Sequence, residues 1–195
     1  MISTRIQPNL KPNPMFAFMG RALANAYHEV DNPEGVVSLG IAENTLMASE
    51  MSEFLSKNMK ITSNLFGYGA SSPGLPSLID GLLQLYNKEP FNPVVPVTKK
   101  HLYVSSGCTT LLDQISWTLC DEGDGVLIGK PCYGGFAPDM TGRSKLTPIF
   151  VSLKGLDPFS LDAVRKYEEQ LLIAQTNGVR VRLLVLANPH NPLGQ

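Results

Sequence analysis

The chain has 195 residues, of which 43% are hydrophobic and 17% charged, and its formal net charge is -1. This is the composition of a globular protein of one domain or one and a half, with no block of like charge to bind nucleic acid or an anionic membrane. Its three cysteines and three scattered histidines provide neither a disulfide framework nor the ligand spacing of a zinc site. No secretory signal is present, and no stretch reaches the roughly 18 apolar residues of a membrane span. We therefore expect a soluble, cytoplasmic protein.

Helical periodicity and proline-rich connections characterise the first hundred residues. Met51, Phe54, Leu55 and Met59 fall on one face of a helix, and Pro14 suits the first turn of an earlier helix. The expected elements are an extended N-terminal arm (1–13), a helix (14–27), a strand (35–44), a helix (49–59), a loop (67–76), a helix (76–88) and a linker (89–98).

Strands alternate with helices in the remaining residues. Ser160 suits the N-cap of the last helix, and Gly178 suits its C-terminal stop. The expected elements are a strand (101–106), a helix (109–120), two strands (123–129 and 146–153), a helix (160–178) and a strand (181–188). Several of these strands are continuously apolar, which favours an α/β fold with a mostly parallel sheet flanked by helices. Ligands of such sheets bind at the carboxyl ends of the strands, so the residues after each strand are the candidates.

The first of these post-strand turns is "SSGCTT" (105–110). Gly107 allows a tight turn, after which Cys108, Thr109 and Thr110 offer backbone N–H groups at the start of a helix. These donors and the partial positive charge of the helix N-terminus suit an anion such as phosphate, and hydroxyl groups can add to them. The alternative is that the Ser and Thr residues only cap the helix. The segment is not a Walker loop, because it has no Gly-Lys-Ser/Thr.

Two further turns follow strands. In "KPCYGGF" (130–136), Tyr133 is placed to stack on a flat ligand ring, or else it only packs at the sheet edge. In "NPHNPLG" (188–194), the prolines fix the turn so that the Asn188 or Asn191 amide can donate to a ring oxygen, or else the turn has no further role. Together the three turns predict a site for a flat, phosphorylated ring.

Four segments resemble a known family. "SLGIAEN" is similar to "GLAEN", "SSGCTTLLDQ" to a phosphate loop with its helix, "GDGVLIGKPCYGGF" to "GD…P-x-Y-x-G-F", and "NPHNPLG" to "NPxNPxG". These motifs are those of fold-type I, pyridoxal-phosphate-dependent enzymes of aminotransferase class I/II, and most of all of 1-aminocyclopropane-1-carboxylate synthases and their fungal relatives. The resemblance runs from about residue 20 to the end of the chain. It implies an aspartate-aminotransferase-like fold that is incomplete here.

The resemblance implies roles for six residues. The residues that hold the cofactor phosphate are Gly107, Cys108 and Thr109, and Tyr133 stacks on the pyridine ring. Asn191 donates to the ring hydroxyl oxygen, and Glu43 faces the substrate. A carboxylate facing the substrate suits a cationic group such as a sulfonium. The implied substrate is therefore an amino acid, with S-adenosylmethionine or another sulfur amino acid favoured. A solvated loop acid is the alternative for Glu43.

The sequence departs from the family pattern in two places. A Tyr often precedes the family's "GLP" turn and reaches into the partner subunit's site, whereas Ser72 and Pro73 stand there in this chain. The phosphate loop carries Cys108 and Thr110, where Ala is common in the synthases. The difference in the phosphate loop weakens a specific assignment to cyclopropane synthesis.

The resemblance also implies a domain organisation. Residues 1–13 form the arm, residues 14–98 the N-terminal part of a small domain with dimer-contact segments, and residues 99–195 the first part of the cofactor-binding large domain, truncated after the NPxNPxG loop. The Schiff-base Lys, the Asp at the pyridine nitrogen and the Arg for the substrate carboxylate belong to a later segment of the family. We therefore expect an N-terminal part that is inactive alone, from an enzyme that is a homodimer at full length.

Three hypotheses remain open from the sequence. The first is that the chain is part of an enzyme that catalyses transamination, cyclopropane synthesis or carbon–sulfur lysis. The second is a non-catalytic protein that pairs with a full-length homologue, using the arm of residues 1–13. The third is a phosphate-binding module of another kind that uses only residues 105–110.

Overall fold

A computed structural model describes residues 2–4, 6–10, 14–68 and 74–194. The chain forms two compact units, residues 1–70 and residues 71–195. Parts of the predicted arm and of the predicted loop 67–76 lie outside the described residues, and the predicted three-part domain organisation stays a prediction. No helix in the described ranges is both long and apolar enough to cross a membrane.

The first unit is helical. Its elements are a 3-10 turn (Gln7–Leu10), helix α1 (Pro14–Ala24), helix α2 (Ala48–Asn58) and a 3-10 turn (Ser63–Phe66). The two α-helices confirm the prediction. The predicted strand 35–44 is wrong, because within the described residues Val36 alone of this segment forms a bridge, to Ala26. A strand needs a neighbour along its length to pair its backbone groups, and residues 37–44 have no such ladder.

The second unit is an α/β layer. Its helices are α3 (Pro76–Tyr86), α4 (Gly107–Leu119), α5 (Phe136–Thr141) and α6 (Leu161–Thr176). Its strands are β1 (Gly125–Lys130), β2 (Thr147–Ser152) and β3 (Val181–Val185). The strand order is β2-β1-β3 and both pairs are parallel, so the predicted parallel sheet is confirmed. In this register Leu127 of β1 lies opposite Ile149 of β2 and Leu184 of β3.

Two elements of this unit differ from the prediction. The segment 101–106 is not a strand: a 3-10 turn (Lys99–His101) leads into extended residues that pair with no strand of the described sheet. Helix α5 was not predicted, because six residues after the Gly-rich loop are too few to show a helical period. Helix α6 agrees with its predicted signals. The Ser160 hydroxyl accepts a hydrogen bond from the Ala163 N–H at 3.2 Å, and Gly178 ends the helix with φ +78.

Strand β1 forms the centre of the core because both of its faces are covered. Successive side chains of a strand point to opposite faces, so the strand contributes to two clusters of buried residues. The first comprises Val126, Ile128, Met140 and Leu146, and the second comprises Leu127, Val151, Leu153 and Ala163. Helix α5 and part of α4 cover the first cluster, and α6 covers the second.

A charged cluster joins the strands at their N-terminal ends. Arg180, which precedes β3, donates from Nε and Nη2 to the two carboxylate oxygens of Asp124, each at 2.8 Å, and from Nη2 to Asp121 at 2.7 Å. Asp124 is only 6% exposed and precedes β1. The Gly125 N–H donates to the Arg180 carbonyl at 2.8 Å, so side chains and backbone together hold β1 against β3.

Replacing Arg180 with Ala is expected to lower stability at neutral pH. The hydrogen bonds from Arg180, and then the N–H of Asp121, hold the pKa of Asp124 below its ordinary value. Because the folded pKa is the lower one, the stabilisation is present above the ordinary pKa of about 3.9 and is lost as pH falls through the folded value.

Urea unfolding at a series of pH values from 7 to 3 measures how the free energy of unfolding depends on pH. The loss of stability in Arg180→Ala should be largest at neutral pH. The free energy of unfolding of this variant should also fall less steeply than that of the wild type as the pH is lowered. Arg165→Ala, which removes an exposed pair with Asp162, is the matched control and should change little. An Arg180→Ala curve parallel to wild type would contradict the assignment.

Gly129 of β1 is required by the position of Tyr167 of α6. A Cβ at residue 129 would overlap the Tyr167 hydroxyl and would lie 3.2 Å from its Cζ. Gly129→Ala is therefore expected to destabilise the protein by about 1–3 kcal/mol, as overpacking does. Tyr167→Phe removes the overlapping oxygen, so the double variant should recover part of the loss in thermal or urea unfolding. Equal losses with and without Tyr167→Phe would show that Tyr167 is not the obstacle.

Candidate cofactor site

The start of α4 is open and carries unused donors. Gly107 has φ +79, in the left-handed region, and no atom lies within 4 Å of where a Cβ would stand. Ser106 occupies the N-cap without a side-chain cap hydrogen bond. The first N–H groups of a helix have no intrahelical partner, so the N–H groups of Cys108 and Thr109 remain available to an anion.

The threonine hydroxyl groups of this turn are already engaged. Thr110 Oγ1 donates to the Ser106 carbonyl at 2.8 Å, which ties it to its own helix. Thr109 Oγ1 donates to Asp139 Oδ2 of α5 at 3.1 Å. The prediction that hydroxyl groups point toward an anion is therefore not met by Thr110, and Thr109 has a competing acceptor. Cys108 is exposed, with a free thiol.

Helix α5 connects the predicted residues. Asp139 reaches Thr109 of α4, and Phe136 makes an edge-to-face contact with Tyr133 at 5.4 Å between ring centroids. Met140, which is 2% exposed, anchors the helix in the core beneath β1. Residues predicted from two separate turns are thus linked through one short helix.

Tyr133 lies in the loop between β1 and α5. Its ring is half exposed and lies over Gly135, where a Cβ would be 2.8 Å from the Tyr133 hydroxyl oxygen. The absence of a side chain at residue 135 therefore permits this ring position. Tyr133 lines a cavity of about 360 Å³ with Lys130 and Phe150, and the Lys130 ammonium lies 3.9 Å from the centre of the Phe150 ring.

Asn191 lines a different cavity, of about 330 Å³, at the carboxyl ends of β1 and β3. Phe136, Phe159 and Tyr167 give this cavity aromatic walls, and Asn188, His190 and Asn191 give it polar groups. Burial raises the pKa of Tyr167, and the nearby Cys132 adds to the rise. The Tyr167 hydroxyl therefore stays protonated at neutral pH and remains a hydrogen-bond donor.

The structure brings some of the predicted site residues close to one another and leaves others apart. Thr109 and Tyr133 both contact α5, and Phe136 of that helix lines the cavity that contains Asn191. Tyr133 and Asn191 themselves line separate cavities. Glu43 is exposed in the first unit, and its predicted role stays a prediction.

Sequence reasoning missed three residues of this region. Phe136 stands inside the "P-x-Y-x-G-F" motif and was available as a signal. Asp139 and Tyr167 had no signal, because only the fold brings them to Thr109 and Gly129. No group of three or more metal-ligating side chains occurs in the described part of the chain.

The residues present fit pyridoxal phosphate. Open space at Gly107 and free N–H donors at Cys108 and Thr109 suit a phosphate, a half-exposed ring at Tyr133 suits stacking, and the exposed Asn191 amide suits a ring oxygen. The roles of the individual residues stay predictions.

Comparison with known proteins identifies relatives over most of the chain. The family model described as Aminotransferase class I and II matches residues 34–195. Aminotransferase verI of Clonostachys rogersoniana is 32% identical over 164 residues, which cover 81% of this chain and 37% of the relative. The human protein named "Probable inactive 1-aminocyclopropane-1-carboxylate synthase-like protein 2" is 33% identical over 178 residues, which cover 86% of this chain and 30% of the relative.

The fold is also similar to that of solved aminotransferase structures. The crystal structure of the aspartate aminotransferase from Rhizobium meliloti matches with a TM-score of 0.60 at 18% identity, over 98% of this chain and 44% of that one. This confirms the aspartate-aminotransferase-like fold, and the chain spans less than half the length of each protein it matches here. Class I and II aminotransferases depend on pyridoxal phosphate and act on amino-acid substrates. The chain belongs to the aminotransferase class I and II family.

Proposed function

We propose that this chain supplies the N-terminal part of the pyridoxal-phosphate site of an amino-acid enzyme related to 1-aminocyclopropane-1-carboxylate synthases. The observation that carries the proposal is the contact of α5 with both Thr109 and Tyr133, beside the cavity of Asn191. The family match over residues 34–195 supports it.

In this proposal Gly107, Cys108 and Thr109 hold the cofactor phosphate. The N–H groups of Cys108 and Thr109 donate to it, whereas the Gly107 N–H already donates to the Ser105 carbonyl at 3.0 Å and Gly107 contributes the turn. The helix dipole of α4 favours the anion, and the left-handed turn at Gly107 leaves room for it. Phosphate binding at a helix start fixes one end of the cofactor and leaves its ring to be oriented by other residues.

Tyr133 and Asn191 orient the ring. The Tyr133 ring stacks on the pyridine face and excludes water from it, and the Asn191 amide donates a hydrogen bond to the ring hydroxyl oxygen. The bound cofactor supplies an electron sink for carbanion chemistry at an amino acid. In the 195 residues no lysine, aspartate or arginine stands in the motifs that complete catalysis in the family. We therefore assign cofactor binding and orientation to this part of the protein.

The proposal extends to substrate and assembly. We infer that the substrate is a sulfur amino acid, with S-adenosylmethionine first, because the exposed Glu43 carboxylate attracts a sulfonium cation. We further propose a homodimer. In each subunit, residues 1–13 form the predicted arm, residues 14–98 the small-domain segment and residues 99–195 the large-domain segment.

Pyridoxal phosphate is expected to bind the purified protein, and Tyr133→Ala should weaken binding by about tenfold through loss of stacking. Tyr133→Phe keeps the ring and should bind as wild type does. Asn191→Ala should weaken binding by about threefold to tenfold, the effect of one lost hydrogen bond. Isothermal titration calorimetry measures the affinity of the wild type, these three variants and a control variant for pyridoxal phosphate. Lys166→Ala, on the exposed face of α6, is the control. Equal affinity for Tyr133→Ala and wild type would contradict the assigned stacking.

Glu43→Gln tests the substrate class. Removing the negative charge should weaken binding of S-adenosylmethionine several-fold, because the sulfonium loses its counter-charge. Binding of methionine, whose sulfur is neutral, should change by less than about twofold. Competition binding on the same preparation gives both values. An equal effect on both ligands would mean that Glu43 does not recognise the sulfonium.

A further inference from the structure

Asp139 is a carboxylate that accepts the hydroxyl proton of Thr109, a residue that the proposed function places at the cofactor phosphate. Its Oδ2 lies 3.1 Å from Thr109 Oγ1, and Thr109 stands in the first turn of α4. The two residues are thirty positions apart in sequence and belong to different helices, so the contact is produced by the fold. Among the described residues, Asp139 forms no ion pair.

A threonine hydroxyl has one proton to donate. An ionised carboxylate is only an acceptor, so in this contact Thr109 donates and Asp139 accepts. A phosphate dianion is also only an acceptor. The proton of Thr109 therefore cannot serve Asp139 and a bound phosphate at the same time.

The helix that carries Asp139 is held in place against α4. Met140 beside it is 2% exposed in the core, and Phe136 packs against the same cluster. Arg143, just beyond α5, donates from Nε at 3.0 Å to Asp113 of α4 and makes an ion pair with it at 2.8 Å. These contacts hold the two helices together around the Thr109–Asp139 hydrogen bond.

The negative charge of Asp139 also lies near any anion that shares the hydroxyl. Two acceptors around one hydroxyl oxygen are separated by about 4–6 Å, a distance at which like charges disfavour each other. Asp139 is half buried and Thr109 is exposed, so solvent screens this repulsion only in part.

We propose that Asp139 is a positioning residue that limits the affinity for the phosphate end of the cofactor by competing for the Thr109 hydroxyl. The inference rests on the proposed function, since it needs the phosphate at the start of α4. It predicts an effect on phosphorylated ligands alone.

Calorimetric titration of the purified protein, with any natural flanking sequence retained, tests this with three probes: pyridoxal phosphate, pyridoxal and inorganic phosphate. Asp139→Asn should tighten binding of both phosphorylated probes by about threefold to tenfold, as removal of a nearby like charge does. Binding of pyridoxal should change by less than about twofold. Asp139→Ala should act in the same direction, and Asp139→Glu should keep the wild-type affinity. Glu169→Gln removes an equal charge from the exposed face of α6 and should have no effect.

A second set of variants, made in the Thr109→Val protein, separates the effect of the Thr109 hydroxyl on binding from the effect of the Asp139 charge alone. In Thr109→Val the tightening by Asp139→Asn should shrink, because no hydroxyl remains to be released; an undiminished gain would overturn the role through Thr109. Unchanged or weaker phosphate binding in both Asp139→Asn and Asp139→Ala, or an equal gain for pyridoxal, would overturn the proposal while leaving the cofactor site in place. A wild-type protein that binds pyridoxal phosphate no better than pyridoxal would refute the phosphate site itself, and with it this inference.

Discussion

Strand β1 is the constraint on which both the core and the candidate site depend. It pairs with a parallel strand on each edge and packs against a buried cluster on each face. Parallel strands end at the same edge of a sheet, so β1 and β3 deliver their following loops to one place. The register of this pair is held at the opposite end by Arg180 and Asp124. The positions of Tyr133 and Asn191 therefore follow from contacts far from either residue.

Helix α5 turns that arrangement into a connected site. It is short, but it contacts Thr109 through Asp139, Tyr133 through Phe136 and the core through Met140. In the proposed site, this helix links Thr109 at the phosphate end to the stacking ring of Tyr133. The proposed competition of Asp139 for the Thr109 hydroxyl depends on this link, since α5 carries Asp139 to α4. The helix also places the tuning residue on a rigid element, where small displacements are resisted by the core.

Much of this organisation could be predicted from the sequence, and the misses have physical causes. Apolar periodicity located α4 and α6, and the Ser160 cap and the Gly178 stop are local signals that the fold leaves unchanged. The predicted strands 35–44 and 101–106 failed because strand structure requires a neighbour, and no apolar run encodes its partner. Motifs placed Tyr133 and Asn191 in loops after strands. Asp139 could not be found, since its importance arises only when α5 packs on α4.

The central claim is that the start of α4, the Tyr133 ring and the Asn191 turn form one binding site for pyridoxal phosphate. The most direct measurement is a crystal structure of the protein soaked with pyridoxal phosphate. We predict the phosphate beside Gly107, at the N–H groups of Cys108 and Thr109, with the pyridine ring against Tyr133 and its hydroxyl oxygen at Asn191. A cofactor bound elsewhere, or bound at α4 with its ring away from both Tyr133 and Asn191, would contradict it.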